Sequence, residues 1–116
     1  MDSNPAGQIL TVFRSRLRHD AEANGYRELA ESLEKRARRL PGFVDFKSFA
    51  ASDGERVSIV TFASAETHRA WRDDLEHREA QRRGRSDFYD EYEITVGPVA
   101  YRYRFGADPV EAERER

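Results

Sequence analysis

The sequence has no cysteine. Disulfides, thiolate nucleophiles and cysteine-bound metals are therefore excluded, and the composition fits a reducing compartment. Tryptophan occurs once and histidine three times. The histidines, at 19, 68 and 77, lack the clustered spacing of metal ligands. No glycine-rich phosphate loop and no Gly-x-Ser-x-Gly elbow is present. No apolar run approaches the ~18 residues of a membrane span. The opening residues MDSNPAG lack the basic-then-apolar pattern of a secretory signal. Neither charge sign dominates: 20 basic residues face 22 acidic ones, for a net charge of -2. That balance gives no global attraction to nucleic acid or anionic membrane. The expectation is a soluble, cytoplasmic protein that binds no metal, flavin or haem.

What is present fits one small domain. A chain of 116 residues buries about 65% of its unfolded surface on folding, enough for a modest core. Apolar residues make up 38% and charged residues 36%. Eighteen of the 20 basic residues are arginine. Arg36, Arg38 and Arg39 share a segment with Glu28, Glu31 and Glu34, and Arg78 to Arg85 holds four arginines. Both read as solvated, ion-paired helix faces rather than a nucleic-acid patch. Residues 1–7 and 106–116 read as flexible tails around a domain at 8–105.

Hydrophobic periodicity orders the domain. Ile9 to Leu17 alternates as a strand. Asp20 offers a cap for a helix in which Tyr26, Leu29, Ala30, Leu33, Ala37 and Leu40 recur at three-and-four spacing. Pro41-Gly42 ends that helix. Phe43 to Ala50 and Arg56 to Ala63 read as strands joined by a turn at Asp53-Gly54. Ser64 caps a second helix that runs unevenly to about Tyr89. Glu93 to Phe105 reads as a long last strand with a bend at Gly97-Pro98. The order strand, helix, strand, strand, helix, strand is ferredoxin-like: an α+β fold with a four-stranded antiparallel sheet and helices on one face.

The strands carry apolar groups on both sides. Val57 and Ile59 alternate with Val60 and Phe62. Ile94, Val96 and Ala100 alternate with Val99, Tyr101, Tyr103 and Phe105. Two helices cover one face, so the other needs a second cover, and the simplest is the same sheet of another copy. A homodimer is expected.

The segment most able to carry chemistry is Trp71 to Tyr92, WRDDLEHREAQRRGRSDFYDEY. With Pro41-Gly42-Phe43, Asp53-Gly54, the strand VSIVTF and the run SAETHRAW before it, its order resembles the antibiotic biosynthesis monooxygenase family, over about Ile9 to Phe105. The resemblance implies a dimeric α+β barrel. It also implies a pocket between sheet and helices in which a polyphenolic molecule is oxidised without a cofactor, the substrate anion supplying the electron to oxygen. In the aromatic-polyketide branch, an asparagine four residues before the tryptophan and a tyrosine six after it accompany the site. Here Thr67 and His77 hold those places. The haem-degrading branch carries an asparagine on its first strand, whereas this strand offers Gln8 and Thr11.

The candidate site follows. Trp71 and His77 are the catalytic candidates: an aromatic wall, and an imidazole whose neutral form can serve as base near neutral pH. Thr67, His68, Phe88 and Arg85 are the substrate-binding candidates. Each has an alternative role, Trp71 as a core anchor, His77 as an exposed helix residue, Phe88 as structural packing. The expected function is cofactor-independent oxidation of an aromatic or phenolic small molecule. The competing function is a non-catalytic small-molecule-binding or structural homodimer of the same fold. Geometry separates the roles of His77. On an unbroken helix at about 100° per residue, Trp71 and His77 lie about 120° apart, while His68, Trp71 and Leu75 lie within about 60°. Only a break between about Asp73 and Glu76 would aim Trp71 and His77 into one pocket. Aspartate, a poor interior helix residue and a good cap, makes Asp73-Asp74 the place for it.

Overall fold

The computed structural model describes residues 6–106, with the backbone alone at Leu75 and Glu76. Four strands form one sheet: β1 (Ile9–Leu17), β2 (Phe43–Ala50), β3 (Arg56–Phe62) and β4 (Tyr89–Pro98). They lie in the order β2-β3-β1-β4, with β1–β3, β1–β4 and β2–β3 all antiparallel. Three helices cross one face: α1 (Tyr26–Arg39), α2 (Ala65–Arg72) and α3 (Leu75–Arg83). A wide π turn, Gly84–Phe88, leads from α3 into β4. This is the ferredoxin-like α+β arrangement read from the sequence. Among the described residues no helix is long and apolar enough to cross a membrane.

The register sorts side chains onto two faces, because successive strand residues point to opposite sides. Thr11 lies opposite Val60 and Val96, Phe13 opposite Ser58 and Ile94, and Ser15 opposite Arg56 and Tyr92. These face the helices. Leu10, Val12, Val57 and Ile59 face the other way and stay half-buried. The closed part of the core sits at one end of the helix face. There Ala37, Val60, Phe62 and Trp71 are buried together, with Leu40, Phe43 and Phe46 packed beside them. Burying a side chain such as Phe62 contributes about 1.5–3 kcal/mol.

Two turns fix how the helices meet the sheet. Ser64 caps α2 as its sequence implies: its side chain accepts from the Thr67 N–H at 3.1 Å, and Thr67 Oγ1 accepts from the Ser64 N–H at 3.2 Å. Gly42 has φ +79°, and a Cβ there would drive into the Thr67 side chain. Only glycine lets the α1–β2 turn press this closely on the start of α2.

Four sequence expectations are corrected. Asp20 does not cap α1: the helix starts at Tyr26, behind Gly25, and Asp20 pairs with Arg18 at 2.9 Å. Turns occupy residues 19–25, where the Asp20 carbonyl accepts from the Asn24 N–H. The second helix is not one uneven run but α2, α3 and the π turn. The last strand spans Tyr89–Pro98, four residues earlier at its start and seven at its end than read from the pattern. Gly97-Pro98 ends it rather than bending it, since proline brings no N–H to the ladder. The Val99 N–H still reaches the Gln8 carbonyl at 3.0 Å, but Ala100 to Phe105 belong to no strand, and Tyr101, Tyr103 and Phe105 are 72–79% exposed. Of the two expected tails, residues 1–5 and 107–116 lie outside the described residues.

The arginine-rich helices are ion-paired. Arg38 meets Glu34 at 2.9 Å, Arg36 meets Asp74 at 2.8 Å, Arg83 meets Asp87 at 3.4 Å, and Arg82 pairs with Glu79.

Candidate active site

The break that the pocket reading required is present, at Asp73 and Asp74. Asp73 closes α2, its N–H bonding the Arg69 carbonyl. Asp74 opens α3: its carbonyl accepts from the Arg78 N–H at 2.9 Å and its Oδ1 from the His77 N–H at 3.3 Å, an N-cap with its side chain on the third helical residue. Its other carboxylate oxygen accepts from Arg36 of α1 at 2.8 Å, which pins the break to the neighbouring helix.

The consequence is convergence. The His77 ring lies 4.5 Å from the Trp71 ring, and the His68 ring 5.9 Å from it. Trp71 also stacks on Phe62 at 5.2 Å with the planes 24° apart. Trp71 is thus both core anchor and cavity wall. The Leu75 side chain, expected beside Trp71, lies outside what the structure describes.

These groups border a cavity of about 620 Å³ between the helices and the sheet. Trp71, His68 and His77 line one part, and Phe13, Tyr26, Phe88, Tyr89 and Tyr92 another. Ile94 and Val96 also line it and are 40% and 48% exposed, so solvent reaches the cavity along β4. Its volume is that of a small-molecule site, and its walls include seven aromatic side chains among aliphatic and polar ones. Gly84 contributes by absence: a Cβ there would stand 2.8 Å from the Tyr89 ring, so glycine lets that ring lie against the π turn.

Electrostatics favour neutral imidazoles. Burial holds His77 below the ordinary histidine range; His68 adds to the effect and Asp74 opposes it. Burial also lowers His68, helped by Arg72 and Arg69. The Tyr89 hydroxyl is pushed up, chiefly by burial and then by Tyr26, so it stays protonated. Thr11 is 4% exposed, lines the cavity, and its Oγ1 has no hydrogen-bond partner among the described residues. Among the described residues, no three His, Asp or Glu side chains stand together as a metal-ligating group.

The six sequence candidates divide. Trp71, His77, His68 and Phe88 line the cavity. Thr67 does not: its hydroxyl is used in the capping box and its side chain packs on Gly42. Arg85 does not line it either; it is exposed and reaches the Tyr92 hydroxyl at 3.3 Å. Missed by the pattern were Thr11, Ser15, Tyr26 and Arg56, all cavity-lining. The signal was there. Thr11 and Ser15 alternate with Phe13 on the strand face that packs inward, and polar groups on a core face mark a cavity or a site.

No family model matches the chain. An uncharacterised protein of Bacillus subtilis (strain 168), YqjZ, is 33% identical over 75 residues, 65% of this chain and 66% of that protein, just under two thirds of its length. Among solved structures, a Nitrosomonas europaea protein named "putative antibiotic biosynthesis monooxygenase" superposes with a TM-score of 0.68 at 11% identity, over 81% of this chain and 91% of that one. Rv0793 from Mycobacterium tuberculosis gives 0.70 at 18% identity, covering 80% and 96%. SnoaB, a cofactor-independent oxygenase from Streptomyces nogalater, gives 0.66 at 17% identity, covering 80% and 93%. Those identities speak for the fold. The chain takes the ferredoxin-like α+β fold of the antibiotic biosynthesis monooxygenases.

Proposed function

We propose that the protein is a cofactor-independent monooxygenase that oxidises an aromatic or phenolic small molecule in this cavity. The observation that carries the reading is the Asp73-Asp74 break, which sets His77 4.5 Å from Trp71 at a solvent-reached aromatic cavity. Trp71 stacks on the substrate ring. Neutral His77 takes the phenolic proton, and the electron-rich anion gives an electron to oxygen. Recombination forms a peroxide anion on the ring carbon, the His77 imidazolium returns its proton to give the hydroperoxide, and loss of water leaves a quinone. One oxygen atom enters the product and the other leaves as water. The protein supplies shape, exclusion of water and a base. SnoaB, of the same fold and described as a cofactor-independent oxygenase, supports the reading.

We further propose that the working form is a homodimer. Leu10, Val12, Val57 and Ile59 lie on the sheet face away from the helices, with Phe49 beside them 48% exposed. The exposed Tyr101, Tyr103 and Phe105 alternate with arginines past the end of β4. A second copy covers both. The competing assignment, a binding or structural dimer without oxidation, shares this cavity and differs only in turnover.

Oxygen uptake on a panel of polyphenols decides between them. Turnover is expected, and His77→Ala should lower it about 100-fold or more if His77 is the base. A folded His77→Ala protein within a few-fold of the parent would remove the base assignment. Tight binding of polyphenols without oxygen uptake would favour the binding protein, and a monomer by light scattering at micromolar concentration would sink the dimer.

A further inference from the structure

One polar group of the cavity takes no part in stacking the ring or removing its proton. Thr11 lies in β1 on the helix-facing side of the sheet, between Val60 of β3 and Val96 of β4. Phe13 is its neighbour on the same face of β1. Thr11 therefore sets one hydroxyl in an otherwise apolar patch. The residue is 4% exposed, and its Oγ1 has no hydrogen-bond partner among the described residues. Other hydroxyls of the cavity are engaged. Ser48 and Ser58 hold each other at 2.7 Å, and Tyr92 accepts from Arg85 at 3.3 Å. Burying a hydroxyl unpaired costs stability, and valine would take the same place in a strand without that cost. A buried, unpaired donor that faces a cavity points to a partner that arrives with the ligand.

Its place and surroundings decide which atom that partner is. Val60 packs with Trp71, and Thr11 lies directly opposite Val60. The hydroxyl thus stands at the Trp71 end, where His77 serves the phenolic oxygen. The other oxygen in the reaction begins as an apolar molecule and becomes an anion. Phe13, Val60 and Val96 all line the cavity around Thr11. An apolar patch with a single donor suits both stages: it admits dioxygen, then meets the charge that grows on it.

We propose that dioxygen meets the substrate at this patch, and that the Thr11 hydroxyl donates a hydrogen bond to the superoxide and then to the terminal oxygen of the peroxide. This rests on the oxidation proposed above. One electron passes from the phenolate to dioxygen, and the two radicals couple to form one C–O bond. The His77 imidazolium protonates the terminal oxygen. The O–O bond then breaks, and water leaves with that oxygen, its proton and the ring hydrogen. Thr11 keeps its own proton throughout. It is a catalytic residue because it touches the reacting oxygen, and its work is to stabilise charge that is absent from the bound substrate.

Two variants of the full chain test this. Thr11→Val removes the hydroxyl with little change of shape, and Thr11→Ser keeps it. Without substrate, Thr11→Val should unfold at a higher urea concentration than the parent, since an unpaired buried hydroxyl is gone. A lower midpoint would show that the fold already pairs the hydroxyl, and would overturn the proposal. With the polyphenol that the parent oxidises fastest, Thr11→Val should lower kcat about 100-fold, the loss of one oxyanion donor. It should also release more superoxide per oxygen consumed, read by reduction of cytochrome c. Its Kd for that polyphenol should not change, read under nitrogen from quenching of the one tryptophan. Thr11→Ser should recover most of the rate. Parental kcat in a folded Thr11→Val protein, or a loss of polyphenol binding as large as the loss of rate, overturns the oxygen assignment and leaves the oxidation standing. If the parent consumes no oxygen with any polyphenol, the oxidation falls and this inference with it.

Discussion

Asp74 bears more of the site than its place in a helical linker suggests, and replacing it should show this. Asp74→Ala removes at least two interactions. The first is the N-cap of α3, Oδ1 to the His77 N–H at 3.3 Å, worth about 1 kcal/mol. The second is the contact with Arg36 at 2.8 Å, between an aspartate side chain 10% exposed and an arginine 45% exposed. A pair so open on one side contributes up to about 1 kcal/mol. The sum is about 2 kcal/mol, or a fall in Tm of about 8 °C for a domain of this size. The change also reaches the site. Alanine is the best helix former, so α2 gains the option of running on into α3. A continuous helix turns His77 about 120° from Trp71. The assay is the fluorescence of the one tryptophan during acidification. In the parent, protonated His77 at 4.5 Å should quench Trp71, and in Asp74→Ala this quenching should weaken. His68 sits on the same helix as Trp71 in both proteins and cancels in the comparison. Asp74→Asn separates the two terms: it keeps a good cap and loses the charge opposite Arg36, so it should cost about 1 kcal/mol or less. A melting point for Asp74→Ala within about 2 °C of the parent, with an unchanged quenching titration, would refute the claim that this cap holds the break.

Two further outcomes follow from the same geometry. Gly42→Ala meets both a left-handed φ of +79° and the Thr67 side chain, so it should destabilise by about 2 kcal/mol or more, read as a lower urea midpoint. Acid should weaken the fold through His68 and His77, both held below the ordinary value of 6.5 by burial. The unfolded chain then binds more protons, so stability is full above about 6.5 and falls as pH drops toward the folded values. His77→Gln should flatten part of that slope between pH 7 and 5, and an unchanged slope would show that His77 is already solvated in the folded protein.

Much of the architecture was legible because it rests on local rules. The alternation in Ile9 to Leu17, the Asp53-Gly54 turn and the Ser64 cap each act over a few residues, and each stands where the pattern put it. The start of α1 was not legible. Asp20 is a good cap by type, but Arg18 holds its carboxylate and the Asn24 side chain reaches across to the Asp87 carbonyl at 2.8 Å. Long-range contacts outweighed a local preference there. The end of β4 fell at Gly97-Pro98, where a missing N–H counted for more than the alternation that continues to Phe105.

The site divides along the same line. By itself the sequence determined that one tryptophan and two histidines fall near one another on a helical segment. It also marked Asp73-Asp74 as the place between Trp71 and His77 where a break would suit the residue types. Only the tertiary structure decided that it does give way, because the break is held by Arg36, a residue of another helix 38 positions away. Only the tertiary structure, too, removed Thr67 and Arg85 from the cavity and brought in Arg56. A side chain's helix or strand face is written in its spacing. Whether that face meets a packed neighbour, a turn glycine or an open cavity depends on residues far away in the chain.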